Sequence, residues 1–275
     1  MKDKETVVTA PKPGLSLPNL AELWEYREML ALWVWRDVKV RYIQSTLGVG
    51  WAVFPVLSQM LIYTIIFGQL VRIDSDGAPY ALFALTGVVP WVYFSQSINN
   101  VASSIYGAGS FLQKIYFPRL ILPIAALLDR GFDFAISMLV LFVILAFSGA
   151  HPNLNVVFLP LLILLLMMTS LGYGMLVAAV VVHFRDLLHL MGYFTTFLMY
   201  CSPVVYPVSL VPEHLRYFYA INPMVGVIEG FRAALLSTKP MPWDLIGIGF
   251  AVALAGMLAG ALYFAKTEHK FADVA

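Results

Sequence analysis

Between Arg41 and Arg72 the chain carries no Asp, Glu, Lys or Arg. A helix that crosses about 30 Å of hydrocarbon needs roughly 20 residues of this kind. Arg36, Asp37, Lys39 and Arg41 lie just before the run. Cations set against a long uncharged stretch mark the cytoplasmic mouth of a first membrane span. The rest of the chain agrees with that class. Only 12% of its 275 residues are charged and 60% are hydrophobic, whereas average soluble domains carry about 25% charge. The net charge of +1 implies no nucleic-acid partner. The single cysteine, Cys201, excludes an intrachain disulfide and a cysteine-based metal site.

Residues 1–19 are polar, with prolines at 11, 13 and 18, and read as a flexible cytoplasmic tail. No apolar core precedes a cleavage site there, so the tail is not a signal peptide. Residues 20–37 are predicted to form an amphipathic interface helix along the membrane surface. At 100° per residue, Leu20, Leu23, Trp24, Leu30, Ala31 and Val34 share a face, interrupted by Arg27. Gly48 and Gly50 then permit a sharp change of direction.

Six transmembrane helices are predicted, at about residues 50–70, 80–105, 124–147, 156–182, 190–206 and 245–264, within a domain covering 50–265. Pro90 is expected to kink the second. The Ser202-Pro-Val-Val-Tyr-Pro207 stretch must break the fifth. Residues 210–236 are too short and too charged to cross. They read as a re-entrant helical hairpin on the outer side, with Asn222-Pro223 as N-cap and first turn of its second helix. Residues 266–275 form a charged cytoplasmic tail. Six spans put both termini on one side, and that side then holds 13 Lys/Arg against 4 on the other. The positive-inside rule places both termini in the cytoplasm. The expected fold is an all-α integral membrane protein.

Three groups of residues stand out within the spans. Gln96, Asn99, Asn100 and Ser103 share a 100° sector of the second span. In lipid such a stripe must face protein or water, so it is either interhelical hydrogen-bonding glue or the wall of a pathway. Tyr193, Phe197 and Tyr200 occupy one 60° face of the fifth. They are either packing or lipid-facing aromatics, or part of a pathway wall. Asp129, Arg130 and Asp133 lie near one end of the third span, where either Arg130 neutralises one carboxylate or all three sit at the headgroup level, and a mid-membrane proton relay is disfavoured. His183 and His189 have no third ligand nearby, and no metal site is expected.

No G-x-x-x-x-G-K-[ST] phosphate loop occurs, so the chain is not expected to bind or hydrolyse ATP by that route. No span carries the mid-membrane charge of proton or sodium coupling, and the two halves show no evident duplication. A transporter without coupling chemistry of its own borrows it from a partner.

Four ordered blocks carry a resemblance. They are Arg36-Asp-Val-Lys-Val-Arg-Tyr42 with Ser45-Thr-Leu-Gly48, Trp51 and Pro55; Lys114-Ile-Tyr-Phe-Pro-Arg119 with Pro123; Phe184-Arg-Asp186; and Ser202-Pro-Val-Val-Tyr206 with Asn222-Pro223 and Arg232. From about Trp24 onward the chain resembles the permease subunit of a type-two ABC exporter, of the kind that moves O-antigen, teichoic acid or capsule polysaccharide across the bacterial inner membrane.

The resemblance implies a homodimer with a second copy of the chain, two separate ATPase subunits that bind ATP and Mg, and surrounding membrane lipids. It implies an undecaprenyl-pyrophosphate-linked polysaccharide as cargo, O-antigen first among the choices. Residues 107–117 would be the coupling helix, with Phe111, Lys114, Ile115, Tyr116 and Phe117 against the ATPase. Tyr193, Phe197, Tyr200, Gln96, Asn99 and Asn100 would line the glycan channel. Arg36, Lys39 and Arg41 would meet the pyrophosphate, or serve to set topology. A small-molecule or drug exporter of the same superfamily is the alternative. A membrane-embedded lipid-glycan enzyme is disfavoured, because the short loops hold no cluster of Asp, Glu or His.

Overall fold

The computed structural model describes residues 20–43, 45–109, 117–149 and 153–268. Two helices open the described chain, α1 (Leu20–Glu25) and α2 (Arg27–Ile43). The predicted single helix over 20–37 is thus broken at Tyr26 and runs on to Ile43. Its faces also differ from the expected ones. Leu23, Tyr26, Met29, Leu30 and Trp33 pack toward the core. Trp24, 71% exposed, turns outward together with Leu32, Trp35, Val40 and Ile43. The break at Tyr26 separates Trp24 from the helix whose register a continuous wheel assigned to it. The cations Arg36, Lys39 and Arg41 therefore sit on α2 itself and not in a turn.

Gly48 makes that turn, at φ +50°, a conformation that favours glycine. It leads into α3 (Gly50–Tyr63), which continues as a π-helical segment over Thr64–Leu70. Next come α4 (Tyr80–Ala108), α5 (Ile121–Phe147), a 3₁₀ turn at Leu154–Phe158 running into α6 (Leu159–Val181), and α7 (Leu187–Tyr200). After α7 come α8 (Glu213–Tyr219), α9 (Pro223–Leu235) and α10 (Trp243–Thr267). The described residues are helical with turns between them and hold no strand.

Among the described residues five helical segments are long and apolar enough to cross a membrane: Gly50–Leu70, Tyr80–Ala108, Ile121–Phe147, Leu154–Val181 and Trp243–Thr267. The fifth predicted span, over 190–206, corresponds to α7, which has 14 residues. At 1.5 Å per residue it is about 21 Å long, short of a full hydrocarbon core. Residues 201–206 are turns, because Pro203 and Pro207 cannot continue the helix.

The bundle is built around α4. Its apolar stretch is 83% buried, against 11% for the span that contains α3. It packs between α5 and α6; α10 lies along α6, α2 lies on α5, and α3 lies on α4 and α5. Every residue of α9 is buried, wedged among α4, α6 and α10. The side chain of Asn222 caps that helix by accepting from the Met224 amide at 3.1 Å, as its position before Pro223 predicts. By contrast α8 buries none of its residues.

Residues 202–205, just after α7, are buried, and the carbonyls of this broken segment must find donors. Asn222 donates to the Cys201 carbonyl at 3.2 Å and to Ser202 Oγ at 2.8 Å. Arg232 donates to the Val204 carbonyl at 2.8 Å, and the Tyr80 hydroxyl donates to that of Val205 at 2.7 Å. Donors from α4 and α9 thereby fix the broken segment. Gly87 of α4 allows the approach: a Cβ there would stand 2.9 Å from Arg232 Nη2 and 3.0 Å from the Val204 oxygen.

Candidate functional site: a polar cleft beside an exposed aromatic face

A cleft of about 420 Å³ opens between α4, α5 and α7. Its α4 wall is Ser95, Gln96, Asn99, Asn100 and Ser103; α5 supplies Arg130 and α7 supplies Thr195. The polar stripe therefore borders open space. Its hydrogen bonds run mostly within α4. Asn99 Nδ2 donates to the Ser95 carbonyl at 2.6 Å, and Ser103 Oγ to that of Asn99 at 3.0 Å. Ser95 and Thr195 likewise bond carbonyls of their own helices. Asn100 is the one that reaches across, donating to the Ala126 carbonyl at 2.8 Å and to Asp129 at 3.1 Å. Glue between helices should show mostly cross-helix bonds.

Behind the cleft lies a charged cluster that ties α2 to α5. Arg41 donates to Asp133 Oδ2 at 2.7 Å and to Asp129, and Tyr42 donates to Asp133. Asp129 is 1% exposed, so removing its partner leaves a buried charge. Burial by itself lowers the Arg41 pKa, but Asp129 and Asp133 outweigh it and hold the guanidinium above its ordinary value. Burial, and then the bond to Asp133, push the Tyr42 phenol well up, so it stays a donor. Arg130 is held more loosely. Its Nη1 is 3.5 Å from Asp133 and its Nε 3.8 Å from Asp129, and Nε makes no hydrogen bond. The Asp129–Arg130–Asp133 grouping was legible in the sequence, but its dominant partner, Arg41, was not.

The other expected site residues fall in different places. Tyr193, Phe197 and Tyr200 form an outward face of α7, at 79%, 65% and 57% exposure. On the opposite side of that helix Met191, Thr195 and Met199 are buried. Arg36 pairs with Asp37 and stacks 3.8 Å above the Trp33 ring. Lys39 is exposed on the outer face of α2. Of the residues expected to meet an ATPase, Phe117 is buried, 6.2 Å from Trp33 between ring centroids. Residues 107 and 108 complete α4. Phe111, Lys114, Ile115 and Tyr116 lie outside the described residues. No group of His, Cys, Asp and Glu suited to a metal occurs among the described residues.

Comparison with known families gives a match to the ABC-2 type transporter over residues 29–236. The chain belongs to the ABC-2 type transporter family. The matched region runs from α2 to the end of α9 and so takes in the cleft, the charged cluster and the α7 face. Among similar proteins, the O-antigen export system permease protein RfbA of Myxococcus xanthus is 29% identical over 255 residues, covering 92% of this chain and 97% of the relative. A protein of the same name from Klebsiella pneumoniae is 27% identical, covering 87% and 92%. The polysialic acid transport protein KpsM of Escherichia coli is 24% identical, covering 73% and 78%. This ABC-2 family chain is thus matched nearly end to end by the first of these permeases, and its α10 lies beyond the family match.

Proposed function

We propose that this chain is the membrane permease of an ATP-driven polysaccharide exporter. The observation that carries the reading is the juxtaposition on α7. One side of that helix closes a polar cleft, and the other presents Tyr193, Phe197 and Tyr200 uncovered. Amides and hydroxyls exchange hydrogen bonds with sugar hydroxyls. Aromatic faces pack against the apolar faces of sugar rings without holding them in register. A path with both suits a long, repetitive glycan. The names of the RfbA and KpsM relatives support glycan cargo over a small molecule.

In this reading two copies of the chain pair in the inner membrane, with both termini cytoplasmic. Two ATPase subunits hold ATP and Mg and drive the permeases through residues 107–117. The cargo is a polysaccharide linked to undecaprenyl pyrophosphate, O-antigen first, with teichoic acid or capsule polymer as related cargoes. It enters from the cytoplasmic side, where Lys39 and Arg36 lie on the outer face of α2. Arg41 is committed to Asp129 and Asp133, so its part there is to hold α2 in place.

Replacing Tyr193, Phe197 and Tyr200 together by Ala tests the aromatic path. All three are exposed in the monomer, so folding should tolerate the change. Surface glycan, read by gel or immunoblot in cells depleted of the wild-type chain, is expected to fall at least tenfold with permease–ATPase assembly intact. Undiminished glycan with the triple variant would make that face packing or lipid contact.

A further inference from the structure

We propose that the cleft between α4, α5 and α7 binds an anionic group carried on a hydroxyl-rich ligand, with Arg130 as its anchor. This rests on the reading of the cleft as part of a glycan path and adds a charge preference to it.

Two guanidinium groups face the same two carboxylates, but they are not equivalent. Arg41, with Tyr42 and the Asn100 amide, supplies close donors to Asp129 and Asp133. Asp129 Oδ2 and both oxygens of Asp133 therefore have close donors without Arg130, whose approaches to the carboxylates are 3.5 Å and 3.8 Å; Asp129 Oδ1 takes no hydrogen bond from either arginine. Neither length is a good charge-assisted hydrogen bond, which lies near 2.7–2.9 Å. Arg130 nonetheless keeps its charge in a part-buried position, with its side chain 25% exposed, and it lines the cleft. A guanidinium placed this way is under-used. Its fork matches two oxygens of a carboxylate or phosphate.

Electrostatics permits the ligand. Two arginines and two aspartates sum to zero, so an arriving anion meets no net repulsion from the cluster. Gln96 and Asn99, both half-buried in the cleft wall, bring amides within the same space. They suit the hydroxyls flanking the charge. The anion is an oxyanion joined to a sugar: the carboxylate of an acidic sugar, or a phosphate on a sugar.

The test uses the permease assembled with its ATPase in lipid nanodiscs. Methyl glucoside, methyl glucuronide and glucose 1-phosphate are titrated and binding is read by saturation-transfer NMR. The wild type is expected to hold at least one anionic probe about tenfold more tightly than the neutral one. The better of the two anions identifies the source, carboxylate or phosphate. Arg130→Gln is expected to erase the preference and leave methyl glucoside binding unchanged.

If Arg130→Gln fails to assemble, phenylglyoxal labelling of wild-type Arg130, read by peptide mass spectrometry, decides instead. Protection by an anionic probe but not by methyl glucoside supports the site, and equal labelling throughout overturns it. Equal binding of all three probes by the wild type, or an unchanged preference in Arg130→Gln, also overturns it. A complex that exports glycan yet shows no anion preference loses this site alone. One that binds anionic sugars at Arg130 but exports no glycan loses the export reading alone.

Discussion

Arg232→Ala is expected to destabilise the folded permease by about 3–5 kcal/mol, the usual effect of removing one partner from a buried ion pair. Arg232 is 5% exposed and Glu229 is 7% exposed, and they meet at 2.8 Å. The guanidinium also lies 3.5 Å above the Phe83 ring and donates to the Val204 carbonyl. Alanine leaves Glu229 charged and unpaired, orphans that carbonyl and opens a cavity beside Phe83. The broken segment after α7 then loses a bond to α9. Thermal unfolding in detergent, followed by size-exclusion fluorescence, should show a Tm drop of several degrees or loss of the monodisperse peak. A control separates charge from shape: Glu229→Leu added to Arg232→Leu should recover much of the loss, because no uncompensated charge remains. A wild-type melt for Arg232→Ala would contradict the assignment of Arg232 as the residue that ties α9 to Phe83 of α4 and to the segment after α7.

Arg41→Ala is expected to rank next, at about 3 kcal/mol, the lower end of the same range. Asp129 and Asp133 lose their closest donor, and Arg130 is near enough to offset part of the loss. The consequence is specific to one contact, since the cluster joins α2 to α5. The variant should release α2, which limited proteolysis would detect as new cleavage between residues 20 and 43. Adding Asp129→Asn and Asp133→Asn to Arg41→Ala should restore much of the stability, a non-additivity expected of groups in one network. Unchanged proteolysis and melting in Arg41→Ala would mean that the cluster does not anchor the surface helix.

These two networks also show what the sequence reveals and what it hides. Spans are legible because hydrocarbon forbids charge over about 20 residues, a local constraint that any window detects. The uncharged run after Arg41 was readable for this reason, and the break near Pro203 and the Asn222-Pro223 helix start were readable because proline and N-cap effects are also local. The aromatic face and the polar stripe were readable because both repeat with the period of a helix.

Partners distant in sequence were not readable. Arg41 stands 88 residues from Asp129, and nothing local links them. Arg130, next to Asp129 in sequence, looked like its neutralising partner. In space Arg41 does most of that work and leaves Arg130 at the cleft. The faces of α2 were misassigned because a helical wheel assumes one unbroken helix, and Tyr26 interrupts it. The length of α7 was overestimated because its apolar composition continues past Tyr200 while its helix does not.

The central claim is that this chain forms the path and a separate ATPase supplies the energy. It is tested most directly by reconstituting the purified permease with its ATPase in liposomes that carry lipid-linked glycan on the ATPase-facing leaflet. Glycan reaching the opposite side is measured by its accessibility to a lectin or glycosidase. The account expects transfer only when both chains and ATP are present, with no ATP hydrolysis by the permease alone. ATP hydrolysis by the isolated permease, or an assembled complex that hydrolyses ATP while the glycan stays on its original side, would contradict it.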